Sequence, residues 1–223
     1  MDRKLQQLDR IEARTGLNIN VKMTKSTRYN VASRTPLQLH GTDIEEVEKF
    51  VYLGATVTKT GGAAEDIRSR LGKAWGAFRK LSKVWRSSEY SRRTKIRIFK
   101  SNVIPVLLYG CEAWRIVKSD QDRLDIFLHK CLRRILKVYW PMKVTNEEIR
   151  QRANIDCISK QVRRRRWKWI GHVLRMKDGE IARTALTWTP EGTRARGRPK
   201  EPWRRTVERD RADMGFSTWA VAR

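Results

Sequence analysis

The chain has 223 residues, 39% of them hydrophobic and 33% charged, which is long enough for one or two small domains with cores of their own. It carries 50 Lys and Arg against 24 Asp and Glu, a formal net charge of +26, which favours a polyanionic partner: nucleic acid first, an anionic membrane surface second. No apolar run reaches the ~18 residues that a membrane span needs and the N-terminus has no signal-peptide core, so we expect an intracellular protein of the nucleus or cytoplasm, neither secreted nor held in a membrane.

The positive charge is unevenly distributed along the chain. The net charge is +3 over residues 1–60, +12 over 61–140, +1 over 141–162 and +10 over 163–223. A merely solvated surface would carry both signs in similar numbers. We therefore predict two basic blocks that contact phosphate groups, both after residue 60.

The three cysteines, Cys111, Cys131 and Cys157, are odd in number and far apart. This usage is typical of a reducing compartment and of buried thiols that pack as small hydrophobes. The paired C-x-x-C spacing of a zinc site is missing, and a site that joins them to His172 is much less favoured than burial. We expect no metal site and no cofactor in this chain.

The first 60 residues have the patterns of a small mixed region. Residues 2–15 have the periodicity of an amphipathic helix, and alternation over 17–21 predicts a strand. The segment 50–57 is rich in aromatic and β-branched residues and is interrupted by Gly54, which predicts a hairpin with a bend. From composition alone, an ordinary core strand is the favoured role for this segment.

After residue 62 the apolar residues recur every three or four positions, the period of a helix. A helix of about 20 residues is predicted across 67–85, with Pro105 kinking the next one. Thr145 and Glu148 form a capping box. Further helices are predicted at about 92–109, 120–138, 146–153, 158–176 and 202–213. The fold class is therefore α+β and mostly α-helical.

Five segments resemble, in the same order, the C-terminal part of the endonuclease/reverse transcriptase polyproteins of LINE-type (non-LTR, RTE-like) retrotransposons. Residues 16–25 are similar to the G-L-x-I-N-x-x-K-T-K segment of the family, and 50–54 to its F-x-Y-L-G hairpin. Residues 107–114 are similar to L-L-Y-G-x-E-x-W, 169–176 to W-I-G-H-V-x-R-M and 197–203 to G-R-P-x-x-x-W. The resemblance covers about residues 5–205.

The resemblance implies three regions. Residues 1–60 would be the end of a polymerase palm with a small β-hairpin, 61–140 a basic helical thumb-like domain, and 141–223 a basic helical C-terminal region with an Arg/Gly/Pro-rich segment. In the family the hairpin is the primer grip, which implies primer-grip-like roles for Phe50, Tyr52, Leu53 and Gly54.

The resemblance does not extend to catalysis. Such polymerases hold two Mg²⁺ ions with a carboxylate cluster, and no Asp-Asp pair occurs here, so Mg²⁺ is expected only for the intact parent polymerase. Met23 stands where the family pattern has the first lysine of K-T-K, and a thioether cannot donate a proton. We predict no catalytic residue, and no polymerisation by this chain alone.

The expected function is to grip the RNA template and DNA primer, with RNA, DNA and the missing palm and fingers of the parent polyprotein as partners. The alternatives are a non-catalytic, transposon-derived RNA/DNA-binding or architectural protein, and a degenerate copy without selected function. The predicted nucleic-acid-binding residues are Lys22, Lys25, Arg79, Lys80, Lys83, Arg92, Arg93, Lys95, Arg133, Arg134, Arg163, Arg164, Arg165, Arg166, Lys168, Arg196 and Arg198.

Overall fold

A computed structural model of the chain describes residues 2–28, 35–59, 62–188, 203–213 and 215. It divides into two compact units, Met1–Asp66 and Ile67–Arg223. The finer division at residues 60 and 140 that the resemblance implies stays a prediction.

The described part of the first unit combines one helix with short paired strands. Helix α1 (Asp2–Thr15) confirms the predicted amphipathic helix. The strands are β1 (Lys25–Ser26) paired parallel with β4 (Glu45–Glu46), β2 (Gln38–Leu39) paired antiparallel with β3 (Thr42–Asp43), and β5 (Lys49–Tyr52) paired antiparallel with β6 (Ala55–Thr58). Leu39 and Ile44 are its most deeply buried large side chains among the described residues.

The strand predicted over residues 17–21 is wrong. Leu17 is 70% exposed, and residues 21–23 form a turn. The backbone N–H groups of Met23 and Thr24 both donate to the carbonyl oxygen of Asn20, at 3.1 and 3.0 Å. Local hydrogen bonds around Asn20 thus satisfy the backbone that a strand would have paired.

The hairpin predicted at 50–57 is confirmed. Phe50 pairs with Val57 and Tyr52 with Ala55, and the turn is Leu53-Gly54, with φ of 48° and 80°. Two residues with positive φ are typical of a type I′ turn, whose twist matches the flanking strands. The Thr56 N–H donates to Oδ1 of Asp66 at 2.9 Å, a contact inside the first unit.

The rest of the described chain is helical. The helices are α2 (Ala64–Lys80), α3 (Ser82–Arg86), α4 (Arg92–Asn102), α5 (Ile104–Leu107), α6 (Lys118–Leu136), α7 (Asn146–Ala153), α8 (Ile158–Leu174), α9 (Ile181–Thr187) and α10 (Trp203–Asp213). This confirms the predicted mostly helical α+β class. No helix in the described ranges combines the length and apolarity needed to cross a membrane.

Aromatic packing forms the centre of the second unit. Phe78 stacks on Trp85 with ring centroids 5.1 Å apart and meets Phe99 edge-on at 6.1 Å. The Trp85 indole N–H donates to the Phe78 carbonyl oxygen at 2.7 Å, so its one polar group is satisfied in the core. These rings hold α2, α3 and α4 together.

Two predicted helices are divided where the backbone requires it. The helix predicted over 67–85 breaks at Leu81, between α2 and α3, and the next breaks at Val103, between α4 and α5. Pro105 explains the second break, since its ring cannot continue a regular helix and it offers no N–H. Helix α9 was not predicted, because seven residues with an exposed Ile181 give little periodic signal.

Candidate nucleic-acid interface

The C-terminal end of α6 carries a cluster of cationic side chains. Arg133 and Arg134 lie in its last turn, and Lys137 caps it in the left-handed conformation, with φ of 56°. Cations at this end of a helix are stabilised by the partial negative charge of its free carbonyl groups. The loop 138–145 follows, and Thr145 caps α7 by accepting the Glu148 N–H at 3.2 Å, which confirms the N-cap half of the predicted capping box. The Glu148 carboxylate, which would complete the box, pairs with Arg152 instead.

A groove of about 1050 Å³ lies between α4 and the ends of α6 and α7; we call it the α4 groove. Of its described lining residues, five are cationic and none is acidic. Lys100 is held in place because its Nζ donates to the Asn154 carbonyl oxygen at 2.6 Å. The lining residues are Arg92, Arg93, Thr94, Ile96, Arg97, Lys100, Leu136, Arg152, Ala153 and Asn154.

Three of those cations make no hydrogen bond or ion pair with the described residues around them. Arg92, Arg93 and Arg97 are exposed on α4, and none has a hydrogen bond or ion pair with another described residue. By contrast, Arg152 pairs with Glu148 at 2.5 Å. Guanidinium groups without internal partners are available for an external anion, and their fork geometry suits phosphate.

A second concavity, about 650 Å³, lies beside the end of α6; we call it the aromatic cleft. Trp140 is 87% exposed in it, Tyr139 58% and Met142 60%. Its lining residues are Lys130, Arg133, Arg134, Val138, Tyr139, Trp140 and Met142. A smaller hollow of about 330 Å³ shares Arg134 and Tyr139 with it and adds Trp85, Arg86 and Lys137, so the basic surface continues past the cleft.

Lys95 is not part of this surface, which corrects its prediction as a phosphate contact. It is 3% exposed, and its Nζ donates to the carbonyl oxygens of Trp85 and Ser87, at 3.2 and 2.5 Å. Burial, and then the nearby charge of Lys137, lower the pKa of Lys95. The lysine joins α4 to the end of α3 and does not face solvent.

The run of four arginines on α8 is divided by the helix geometry. Arg166 is 3% exposed, contacts Asp210 of α10 and donates to the Trp114 carbonyl oxygen at 2.8 Å. Arg163 also faces Asp210, at 3.4 Å between Nε and Oδ1. Arg166 is therefore a core residue that does not face solvent, which corrects its prediction as a phosphate contact, while Arg163 pairs with α10.

The other two arginines of the run lie nearer the surface. Arg164 has a 68% exposed side chain and pairs with Asp156 at 3.0 Å, while Arg165 donates to the Leu108 carbonyl oxygen at 3.4 Å. Lys168 is exposed and has no hydrogen bond or ion pair with a described residue. Among the cations of this segment, Lys168 therefore has the fewest polar contacts with described residues.

The remaining predicted residues fall in three places. Arg79, Lys80 and Lys83 are exposed around the α2–α3 break. In the first unit, Lys22 is exposed and Lys25 pairs with Glu45 at 3.3 Å. Of the hairpin residues, Tyr52 and Leu53 are 62% and 75% exposed, and Phe50 is half-buried. Arg196 and Arg198 lie outside the described residues.

The sequence reasoning missed the aromatic cleft. Tyr139, Trp140 and Met142 were passed over, as were Arg97, Lys130 and Arg152, although all line the basic concavities. The pair Tyr139-Trp140, between a basic helix end and Pro141, was the available signal. It continues no apolar stripe of a helix, so these aromatic residues were not needed for the core.

The cysteines are separate from this surface. Cys111 and Cys131 are buried; burial raises the pKa of the Cys111 thiol to about 12 and also raises the pKa of Cys131. Cys157 is half-buried, with Sγ 3.3 Å from Oγ of Ser159. Within the described ranges no three His, Cys, Asp or Glu side chains form a group suited to a metal ion.

Comparisons with known proteins find similarity to transposon-derived proteins. A family model described as a domain of unknown function (DUF6451) matches residues 77–109, which include all of α4. The chain is 28% identical over 194 residues to an uncharacterized transposon-derived protein of Caenorhabditis elegans, 83% of this chain and 69% of that protein. These similarities support a transposon origin.

A second relative is a probable RNA-directed DNA polymerase from transposon BS of Drosophila melanogaster. The identity is 23% over 159 residues, which is 70% of this chain but 17% of that protein. The chain therefore spans a small part of a polymerase-type relative and most of the worm protein. No solved structure matches the chain.

Proposed function

We propose that this chain is the nucleic-acid-gripping part of a retrotransposon RNA-directed DNA polymerase, which binds the RNA template and DNA primer through their phosphate groups. The α4 groove is the observation that carries the proposal: five cations, no acid among its described lining residues, and three arginines without internal partners. The fly relative, a probable RNA-directed DNA polymerase from a transposon, supports the polymerase class.

The proposed role is binding without chemistry. The Mg²⁺ pair of an intact polymerase needs clustered carboxylates, and the described residues contain no such group, so no catalytic step is assigned to them. We expect the purified chain with Mg²⁺ and deoxynucleotides to leave a primer unextended. Primer extension would overturn this part of the proposal.

The binding test compares the wild type with Arg92→Gln/Arg97→Gln/Arg93→Gln on a blunt RNA–DNA hybrid at two salt concentrations. Each phosphate contact contributes about 0.7–0.9 to the slope of log affinity against log salt, so loss of three contacts should reduce that slope by about two to three. The matched control neutralises Lys118, Arg123 and Lys160, which are exposed and already paired with aspartates. Equal slopes for the two triple variants would contradict the α4 groove as the contact surface.

A second candidate function is a free-standing, transposon-derived protein that binds or organises RNA or DNA. It is favoured by the worm relative, a transposon-derived protein of which this chain spans 69%. The two functions differ in ligand preference, since a primer–template grip should favour an RNA–DNA hybrid over double-stranded DNA at equal salt. Equal affinity for both duplexes would favour the second function.

A further inference from the structure

The loop that carries Trp140 is anchored at both ends. On one side, Lys137 and Val138 close α6, and the Val138 N–H donates to the Arg133 carbonyl oxygen at 2.9 Å. On the other side, Thr145 caps α7. Arg133 also joins the two sides, because its guanidinium donates to the Val144 carbonyl oxygen at 2.7 Å and to Oδ1 of Asn146 at 3.1 Å.

On this anchored loop, a large aromatic side chain is left in water. Trp140 is 87% exposed, more than any other large hydrophobic residue among those described, and Tyr139 is 58% exposed beside it. Tryptophan is highly buried on average in folded proteins, and exposed apolar groups gathered in one place mark interaction sites. The anchoring makes the exposed ring part of a preformed surface.

The charges around the ring indicate what would cover it. Lys130, Arg133 and Arg134 share the aromatic cleft, and none of its described lining residues is acidic. Arg134 is exposed and has no hydrogen bond or ion pair with a described residue. An occupant must therefore combine negative charge with a flat apolar face, and a nucleotide has both, as phosphate and base.

The exposed Trp140 ring also distinguishes single-stranded from double-stranded nucleic acid. In a duplex, the faces of the bases are already covered by their neighbours in the stack. An unpaired base offers a free π-face, and stacking on an aromatic side chain beside cations is how single strands are commonly held.

We propose that the aromatic cleft binds a single-stranded segment of nucleic acid, with one unpaired base stacked on Trp140 and its phosphates next to Arg134 and Lys130. This inference rests on the proposed function and adds a site for single strands to the groove proposed for duplex. It commits the cleft to an unpaired base and not to a protein partner.

The test measures the affinity of the full chain for a 12-nucleotide single-stranded RNA and for a blunt RNA–DNA hybrid, at one salt concentration. Trp140→Ala should weaken single-strand binding about 5- to 150-fold, the range for loss of one stacked base, and change hybrid binding less than twofold. Trp140→Phe should retain most of the affinity. Trp188→Ala, which removes another exposed tryptophan (62%), is the matched control and should behave like the wild type.

A covalent readout identifies the contact. With 5-iodouridine in the single strand, irradiation should crosslink the peptide that contains Tyr139 and Trp140, and the Trp140→Ala variant should lose this product. If the wild type binds the hybrid but Trp140→Ala binds both ligands like the wild type, the cleft is not a single-strand site and this inference alone fails. If the wild type binds neither ligand, the proposed function fails with it.

Discussion

The Arg166 guanidinium contacts the Asp210 carboxylate inside the second unit, where both residues are buried. This contact joins α8 to α10, and Arg166 also donates to the Trp114 carbonyl oxygen. A residue in the most basic run of the sequence thus stabilises the fold from within. Arg164 and Arg165, which precede it in this run, lie nearer the surface.

Arg166→Ala should lower the free energy of unfolding by about 3 kcal/mol, the low end for breaking a buried ion pair, because Arg163 still faces the Asp210 carboxylate. Arg164→Ala removes an exposed arginine of the same run and should cost less than about 1 kcal/mol. Urea unfolding followed by circular dichroism measures both. Similar losses for the two variants would contradict the division of the run into buried and surface residues.

Lys137→Gly should be more stable than Lys137→Ala by about 1 kcal/mol. Lys137 has φ of 56°, and a residue with a Cβ is strained there whereas glycine is not. Both variants remove the same charge, so their difference reports the backbone alone and thermal unfolding can measure it. An alanine variant as stable as the glycine variant would show that the end of α6 adopts another conformation.

Thr145→Ala should destabilise the protein by about 1 kcal/mol, because the Glu148 N–H would lose its hydrogen-bond acceptor at the start of α7. Thr145→Ser keeps the hydroxyl group and should retain most of the stability. Urea unfolding of the three proteins measures the effect. Hydrogen exchange of the amides in 146–149 should accelerate in the alanine variant only. Unchanged exchange there would show that the Thr145 hydroxyl does not stabilise the start of α7.

Stability should fall as the pH drops below 6.5, owing to His129. Burial lowers the pKa of His129, and Arg150 and Arg133 lower it further, while Asp125 acts in the opposite direction. Because the folded pKa lies below the unfolded value of 6.5, the unfolded state takes up a proton first, and protonation favours unfolding until the pH passes the folded pKa.

The pH test compares urea unfolding of the wild type, His129→Gln and His172→Gln at pH 8 and pH 5.5. His129→Gln should lose less stability on acidification than the wild type, and His172→Gln, at an exposed position of α8, serves as the matched histidine loss. If the wild type and His129→Gln lose the same stability between pH 8 and pH 5.5, His129 is not the cause of the loss.

Local signals made most of the helical part predictable. The N-cap at Thr145, the interruption near Pro105 and the 3.6-residue period all act over a few residues, and the structure confirms each of them. The strand at 17–21 failed because Asn20 satisfied the backbone locally. The fold class therefore follows from the sequence, while short polar segments depend on hydrogen bonds that no periodicity reports.

The direction of each basic side chain was not predictable. Consecutive helix residues differ by about 100°, so Arg163–Arg166 point to all sides, and only the packing of α10 decides that Arg166 is covered. Lys95 is buried because carbonyl oxygens of Trp85 and Ser87 need a donor, which depends on the path of the chain after α3. Net charge located the basic regions but not the individual contacts.

The state of the three cysteines makes site-selective labelling possible without mutagenesis. Cys111 and Cys131 are buried, and their raised pKa values leave few thiolates for maleimide to attack at neutral pH. Cys157, half-buried at the N-cap of α8, becomes the preferred attachment point for a fluorophore. Such a dye at the beginning of the arginine-rich helix would test the proposed nucleic-acid binding through a change in anisotropy, with every native cation still in place.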